Sequence, residues 1–172
     1  MKERSFVQRN KRVQLHELTD LVALRKEEAG GDARSGSDIT ERIAPDVPAS
    51  QLRAFEKAGW VFQERGAAAA AAPETAQQAQ VFVKSGGRLA LGTNALTLQF
   101  KDRLSEEEAN AALQPYGCRV IESLSFAPGL FRVAVVDTAQ GDAMDTADRV
   151  SNSGLVEFAE PELIEVTGPR SP

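Results

Sequence analysis

The sequence predicts an α+β protein, and three observations in its C-terminal half predict it. Residues 95–100 alternate apolar and polar side chains, as a strand does. Two amphipathic helical patterns follow, and each ends at a glycine. Between the helices lie two strand-like runs joined by a tight turn. The resulting order is β-α-β-β-α-β, the split βαβ or ferredoxin-like arrangement.

The first helix has the clearest start signal. Ser105 is a suitable N-cap residue, acidic residues fill the first turn, and Glu108 completes a capping box three residues later. Gly117 predicts the end of this helix. Four residues recur at helical spacing and form the predicted buried stripe: Ala109, Ala112, Leu113 and Tyr116.

The remaining elements follow in order. Residues 118–126 and 130–136 predict two strands, which the turn Ala127-Pro128-Gly129 joins. Residues 141–154 predict the second helix, and residues 155–160 predict the last strand. In this fold, a four-stranded antiparallel sheet carries both helices on one face and leaves the other face free for a partner. The inward residues of the second helix are Ala143, Met144, Ala147 and Val150.

The N-terminal half predicts a smaller α/β segment of uncertain topology. Residues 21–28 resemble 96–103, and residues 51–66 follow the helix, glycine, strand order of 109–124. We interpret this half as a degenerate β-α-β unit that is entered through residues 13–18.

Two stretches of low structural content predict loops. Residues 27–38 are rich in Gly, Ser and charge, and residues 66–80 contain a poly-Ala run between a glycine and a proline. Residues 81–92 predict a hairpin that turns on Ser85-Gly86-Gly87. The predicted division of the chain is residues 1–79, residues 80–166 and a tail, residues 167–172.

Composition limits the functional classes. The chain has 25 acidic against 20 basic residues, which argues against nucleic acid because phosphates require a basic surface. Neither a membrane-spanning run nor a secretory signal is present in the sequence, so a cytoplasmic location is expected. Cys118, the single cysteine, cannot form an internal disulfide, and we expect it to be a small buried hydrophobic residue.

The sequence contains no recognisable catalytic or metal-binding pattern. With one Cys and one His, no ordinary zinc site can be assembled, and we expect no cofactor. His16 lies in an alternating run and is expected to face solvent from a strand. Glu160 and Glu162 could act as an acid and a base, but no substrate cleft is indicated beside them. The sequence therefore predicts a protein that is not an enzyme.

Three segments, ALTLQFKDRLSEEEANAALQPYG, ESLSFAPGLFRVAV and GLVEFAEPELIEV, together resemble the N-terminal propeptides of subtilisin-like serine proteases. The likeness is to the fervidolysin-type bacterial group and covers roughly residues 80–166. In that family a hydrophobic-aromatic strand ends in Glu-Pro. The matching positions here are Val156, Phe158, Ala159, Glu160 and Pro161.

The resemblance implies a temporary inhibitor and intramolecular chaperone of a subtilisin-like serine protease. The open sheet face would pack on two surface helices of the protease, with Glu160 and Glu162 at the helix N-termini. Both carboxylates are expected to be exposed in the free chain. Residues 163–166 would then lie as an added strand in the substrate cleft. The implied protease-binding residues are Phe158, Glu160, Pro161, Glu162, Leu163, Ile164, Glu165 and Val166.

Alternatives remain open at this point. The sequence ends in GPRSP, where proline is a poor cleavage residue, so the inhibitor could act within a longer precursor or be supplied in trans. A rival interpretation is a ferredoxin-like module that senses a small molecule at a dimer interface. The absence of a glycine in the loop at residues 101–105 counts against it. A third is an interaction domain unrelated to proteolysis.

Overall fold

The structure is a computed structural model that describes residues 1–27, 47–66 and 78–166. It is a mixed α+β protein with antiparallel strand pairing and few helices. The elements are β1 (Lys2–Gln8), β2 (Lys11–Arg25), α1 (Ala49–Lys57), β3 (Trp60–Glu64), β4 (Gln78–Lys84), β5 (Arg88–Phe100), α2 (Glu106–Leu113), β6 (Cys118–Ser123), β7 (Leu130–Val135), α3 (Ala143–Asn152) and β8 (Val156–Ile164).

The chain divides into two compact units that interleave along the sequence. The first unit contains residues 1–4, residues 14–92 and the chain from Leu163 onward. The second unit contains residues 5–13 and residues 93–162. Strands β1, β2, β5 and β8 therefore contribute residues to both units.

In the first unit, β2 pairs with β3 and with β4, and β4 pairs with β5, all antiparallel. The turn between β4 and β5 falls at residues 85–87, where Gly86 and Gly87 both have positive φ, so the predicted hairpin is confirmed. Strand β2 is continuous over residues 11–25, whereas the sequence suggested two separate runs.

The first core forms around α1. Leu52 and Phe55 are the buried residues of this helix, and the Phe55 ring meets the Phe62 ring edge to face at 6.0 Å. Gly59, at φ +90°, separates α1 from β3, so the predicted order of helix, glycine and strand is confirmed. The core cluster is Leu18, Leu21, Ala23, Val47, Leu52, Phe55, Trp60, Phe62, Ala79, Val81, Leu89 and Leu91.

The boundary of this unit differs from the predicted division after residue 79. Strand β4 and the first part of β5, to residue 92, belong to the first unit because their apolar residues join its core. The predicted loop at 66–80 also overlaps β4 at residues 78–80. Residues 28–38, 67–77 and the tail 167–172 lie outside the described residues.

The second unit contains the elements predicted for the C-terminal half. Its strand order is β8-β5-β7-β6, and the β5–β7 and β6–β7 pairs are antiparallel. Strand β8 also runs antiparallel to β5: the Lys101 N–H donates to the Leu155 carbonyl (3.1 Å), and the Thr93 hydroxyl donates to the Glu162 carbonyl (3.5 Å).

Both helices of the second unit begin at reciprocal capping boxes. Ser105 and Glu108 form the predicted one at α2, and Asp142 and Asp145 form the other at α3. The helices pack on the same set of strand residues, so one sheet face is covered by helices. The cluster is Leu96, Leu98, Phe100, Ala109, Leu113, Cys118, Val120, Phe131, Val133, Val135, Ala143, Ala147, Val150, Val156 and Ala159.

Two strand boundaries differ from expectation. Strand β6 ends at Ser123, because Leu124 begins a turn in which its carbonyl accepts from the Ala127 N–H (3.2 Å). Strand β8 continues past the expected end at residue 160 and includes Pro161. Within the described sheet β8 pairs with β5 alone, and a proline is tolerated in such an edge strand.

Candidate functional site

The residues that the sequence assigned to partner binding lie on β8 and the two residues after it. Phe158, Glu160 and Glu162 are half-buried, and Pro161 is buried. The expectation that both carboxylates are exposed is therefore wrong. Each carboxylate already has a partner in its own unit, and the partners differ in kind.

Glu160 is held by a turn near the N-terminus. Its Oε1 accepts a hydrogen bond from the backbone N–H of Arg9 at 2.9 Å, across 151 residues of sequence. Arg9 and Asn10 join β1 to β2 and have φ values of 48° and 63°. The sequence offers no local signal for this contact, because it depends on how two distant segments fold.

Glu162 is held by an arginine on a neighbouring part of the sheet. Arg132 donates from Nε to Oε2 at 2.7 Å and from Nη2 to Oε1 at 2.9 Å. This two-point hydrogen bond raises the pKa of the Arg132 guanidinium above its ordinary value. Arg132 therefore fixes the orientation of the Glu162 carboxylate, a role that sequence reasoning did not assign to it.

Arg132 also identifies the open face of the second sheet. Its neighbours Phe131 and Val133 both belong to the core, so the alternation of a strand places Arg132 on the face away from the helices. In register it pairs with Thr97 on β5 and with Glu122 on β6. Residues that share this face by alternation and register include Thr97, Gln99, Arg119, Glu122, Arg132 and Ala134, which are half-buried or exposed, and the buried Ala95 and Leu130. The open face is thus mainly polar, with charges of both signs.

The chain after Glu162 belongs to the first unit and is anchored there. Ile164 and Val166 are half-buried and pack against the first core. Between them, Glu165 forms an ion pair with Lys84 and lies 3.6 Å from the Arg88 guanidinium. Residues 164–166 thus make contacts within their own unit in this structure.

The remaining candidate groups take ordinary positions. His16 is exposed on β2, as expected. Cys118 is buried, as expected, and burial raises the pKa of its thiol to about 11. Among the described residues, no group of His, Cys, Asp and Glu is placed to hold a metal ion. In the same residues, no helix is long and apolar enough to cross a membrane.

The second unit is thus an α+β domain, in which a small sheet carries helices on one face and has a mainly polar open face. Residues 76–162, just over half of the chain, match the model of the fervidolysin N-terminal prodomain. The chain belongs to this family, and the resemblance to subtilisin-like protease propeptides is confirmed. Neither a curated protein nor a solved structure matches the chain.

Proposed function

We propose that the chain is an inhibitor and folding chaperone of a subtilisin-like serine protease, supplied in cis or in trans and without catalytic activity of its own. The observation that carries the proposal is the polar open face of the second unit, beside the strand with Glu160 and Glu162. The prodomain family supplies the class of partner. The strand order β8-β5-β7-β6 supports a ferredoxin-like topology for this unit.

In the proposed complex the open face packs on two surface helices of the protease. The N-terminus of a helix carries unsatisfied N–H groups and a partial positive charge, so it favours a carboxylate. Arg132 holds the Glu162 carboxylate in one orientation before the partner arrives. Such preorganisation lowers the entropy that is lost on binding.

Blockade of the cleft is assigned to residues 163–166, which would enter it as an added strand. In the free chain Ile164 and Val166 contact the first core, and Glu165 contacts Lys84 and Arg88. Blockade therefore requires these residues to exchange contacts within the chain for contacts within the cleft. Docking by the sheet face does not require this exchange, so we expect docking to precede inhibition.

Two truncations separate these steps. A chain that ends after Glu162 lacks the proposed cleft strand, and a matched control that ends after Val166 retains it. Binding to a purified bacterial subtilisin is measured by calorimetry, and inhibition is measured by peptide hydrolysis. We expect both chains to bind, and only the control to inhibit fully.

The shorter chain also loses the Ile164 contact with the first core, so its thermal stability is measured in parallel. Full inhibition by the shorter chain would remove residues 163–166 from the mechanism. No binding by the untruncated chain at micromolar concentration would contradict the proposed function itself.

The two carboxylates can be tested separately from the tail. Glu160→Gln with Glu162→Gln is expected to weaken binding, because each carboxylate at a helix N-terminus contributes about 0.3–1 kcal/mol. Glu157→Gln is the matched control, since Glu157 is an exposed carboxylate on the same strand. Equal binding by the double variant and the control would show that the acids do not dock.

A further inference from the structure

The turn between β1 and β2 is a part of the second unit that the proposed function does not use. Both of its residues, Arg9 and Asn10, have positive φ, the region in which glycine and asparagine are favoured. A two-residue turn between neighbouring paired strands requires this conformation, so the hairpin imposes it on Arg9. The hydrogen bond from the Arg9 N–H to Glu160 is a further contact, which holds the turn against β8.

Open space lies beside this contact. A cavity of about 610 Å³ is bounded by the β1–β2 hairpin, by α3 and by residues 157–160 of β8. Polar residues of α3, among them Asp148 and Ser151, line one wall, and Phe158 lines another. The turn thus has room to move away from Glu160 without first displacing packed core residues.

We propose that this turn occupies the docking position at Glu160 in the free chain. A partner must then displace the turn in order to bind at Glu160. The inference rests on the proposed function. A backbone N–H donated to a carboxylate is the same interaction that a helix N-terminus offers. Glu160 accepts it from Arg9 in the free chain and from the partner in the complex.

The consequence is a reduced apparent affinity. When only a fraction of molecules has Glu160 free, the measured dissociation constant rises by the inverse of that fraction. The partner that fits this surface is a segment with free backbone N–H groups. Contact of the β1–β2 turn with Glu160 raises the dissociation constant of that partner.

The test uses the full chain, a bacterial subtilisin and two substitutions at one position. Arg9→Pro removes the N–H and cannot adopt φ of 48°, so Glu160 should be freed and subtilisin should bind about fivefold more tightly, on the scale of one hydrogen bond. Arg9→Gly keeps the N–H and removes the strain, so binding should be unchanged or weaker. With Glu160→Ala in the background, Arg9→Pro should have no effect.

The proposal would be overturned if the Arg9→Pro variant binds subtilisin no more tightly than the unmutated chain. It would also be overturned if Arg9→Pro tightens binding equally when Glu160 is replaced by Ala. Because proline could disturb the hairpin, hydrogen exchange of the Arg9 amide is also measured in chains that keep Arg9. Glu160→Ala should accelerate this exchange at least severalfold, and an unchanged rate would also overturn the proposal. If the unmutated chain binds no subtilisin, the proposed function fails, whereas the exchange rates still decide whether Glu160 holds the turn.

Discussion

In the first unit the helix α1 begins at Pro48 without a side-chain cap, whereas both helices of the second unit begin with a reciprocal capping box. Residues of the first core come from strands that pair across long stretches of sequence, such as Leu21 with Glu64. The helices of the second unit thus carry local start signals that α1 lacks, although both units contain pairing between distant segments. Local signals stabilise a helix by small amounts, while distant pairing stabilises only once the fold is formed.

The two units also differ in the charge that they bury. In the first unit, Glu17 is a buried carboxylate with Arg4 at 3.3 Å and a hydrogen bond from Gln80 at 3.2 Å. The buried polar residue of the second unit, among those described, is the uncharged Thr146. The first unit should therefore be more sensitive to single substitutions that remove one member of an internal contact.

The largest effect is expected for Phe55→Ala in the first core. Phe55 is fully buried and meets Phe62 edge to face, so its removal should lower the free energy of unfolding by about 4 kcal/mol. Trp60 is the single tryptophan and belongs to this core, so its fluorescence reports on the first unit. Leu113→Ala, in the second core, is the matched comparison. A loss below about 1 kcal/mol would contradict the assigned packing of Phe55.

A somewhat smaller effect is expected for Glu17→Gln. The substitution removes the negative charge beside the mostly buried Arg4 guanidinium, at a cost of about 3 kcal/mol. Urea denaturation followed by Trp60 fluorescence measures this loss of stability. Glu157→Gln, on an exposed site, should be close to neutral. If both substitutions are neutral, the buried ion pair does not distinguish the first unit.

Ser105→Ala probes the local signals of the second unit. It removes the side chain that accepts from the Glu108 N–H at 3.1 Å, and should cost about 1 kcal/mol. Asp142→Ala, at the start of α3, should cost a similar amount. Helical circular dichroism during denaturation is the measurement. Effects as large as that of Phe55→Ala would show that capping, rather than packing, dominates the second unit.

The smallest effect on stability at neutral pH is expected for Cys118. This residue lies in the second core, so its thiol reports on that core, as Trp60 fluorescence reports on the first. Burial raises the pKa of this thiol from 9.0 to about 11. Above pH 9 the unfolded chain loses the thiol proton while the folded chain keeps it. The contribution of Cys118 to the free energy of unfolding is therefore complete below pH 9 and is lost as the pH rises from about 9 to 11. Cys118→Ala should remove this part of the decline. Rapid thiol labelling of the folded chain at pH 8 would contradict the assigned burial.

The sequence predicted the elements whose signals lie within a few residues of each other. Ser105, Glu108 and Gly117 define α2 in this way, and the glycines after Ser85 define a hairpin. Contacts across the sheet could not be predicted, because they require the strand order as well as the strands. The pairing of Glu162 with Arg132 is of this kind.

The end of β8 was predicted too short for a related reason. Pro161 and the acidic residues around it are typical of a chain leaving a sheet, and a proline does disfavour a central strand. In the structure β8 pairs, among the described strands, with β5 alone; such an edge strand tolerates a proline, and it continues to Ile164. Only the fold of the first unit determines that Ile164 and Val166 then pack on a core.

The same proline has a bearing on solubility. An edge strand presents a row of backbone groups to which a strand of another molecule can add, and this is a common start of aggregation. On β8 the row is interrupted where Pro161 offers no N–H, and Glu157 and Glu160 would bring like charges together between two copies. These features disfavour the addition of a second copy of the chain along this C-terminal strand.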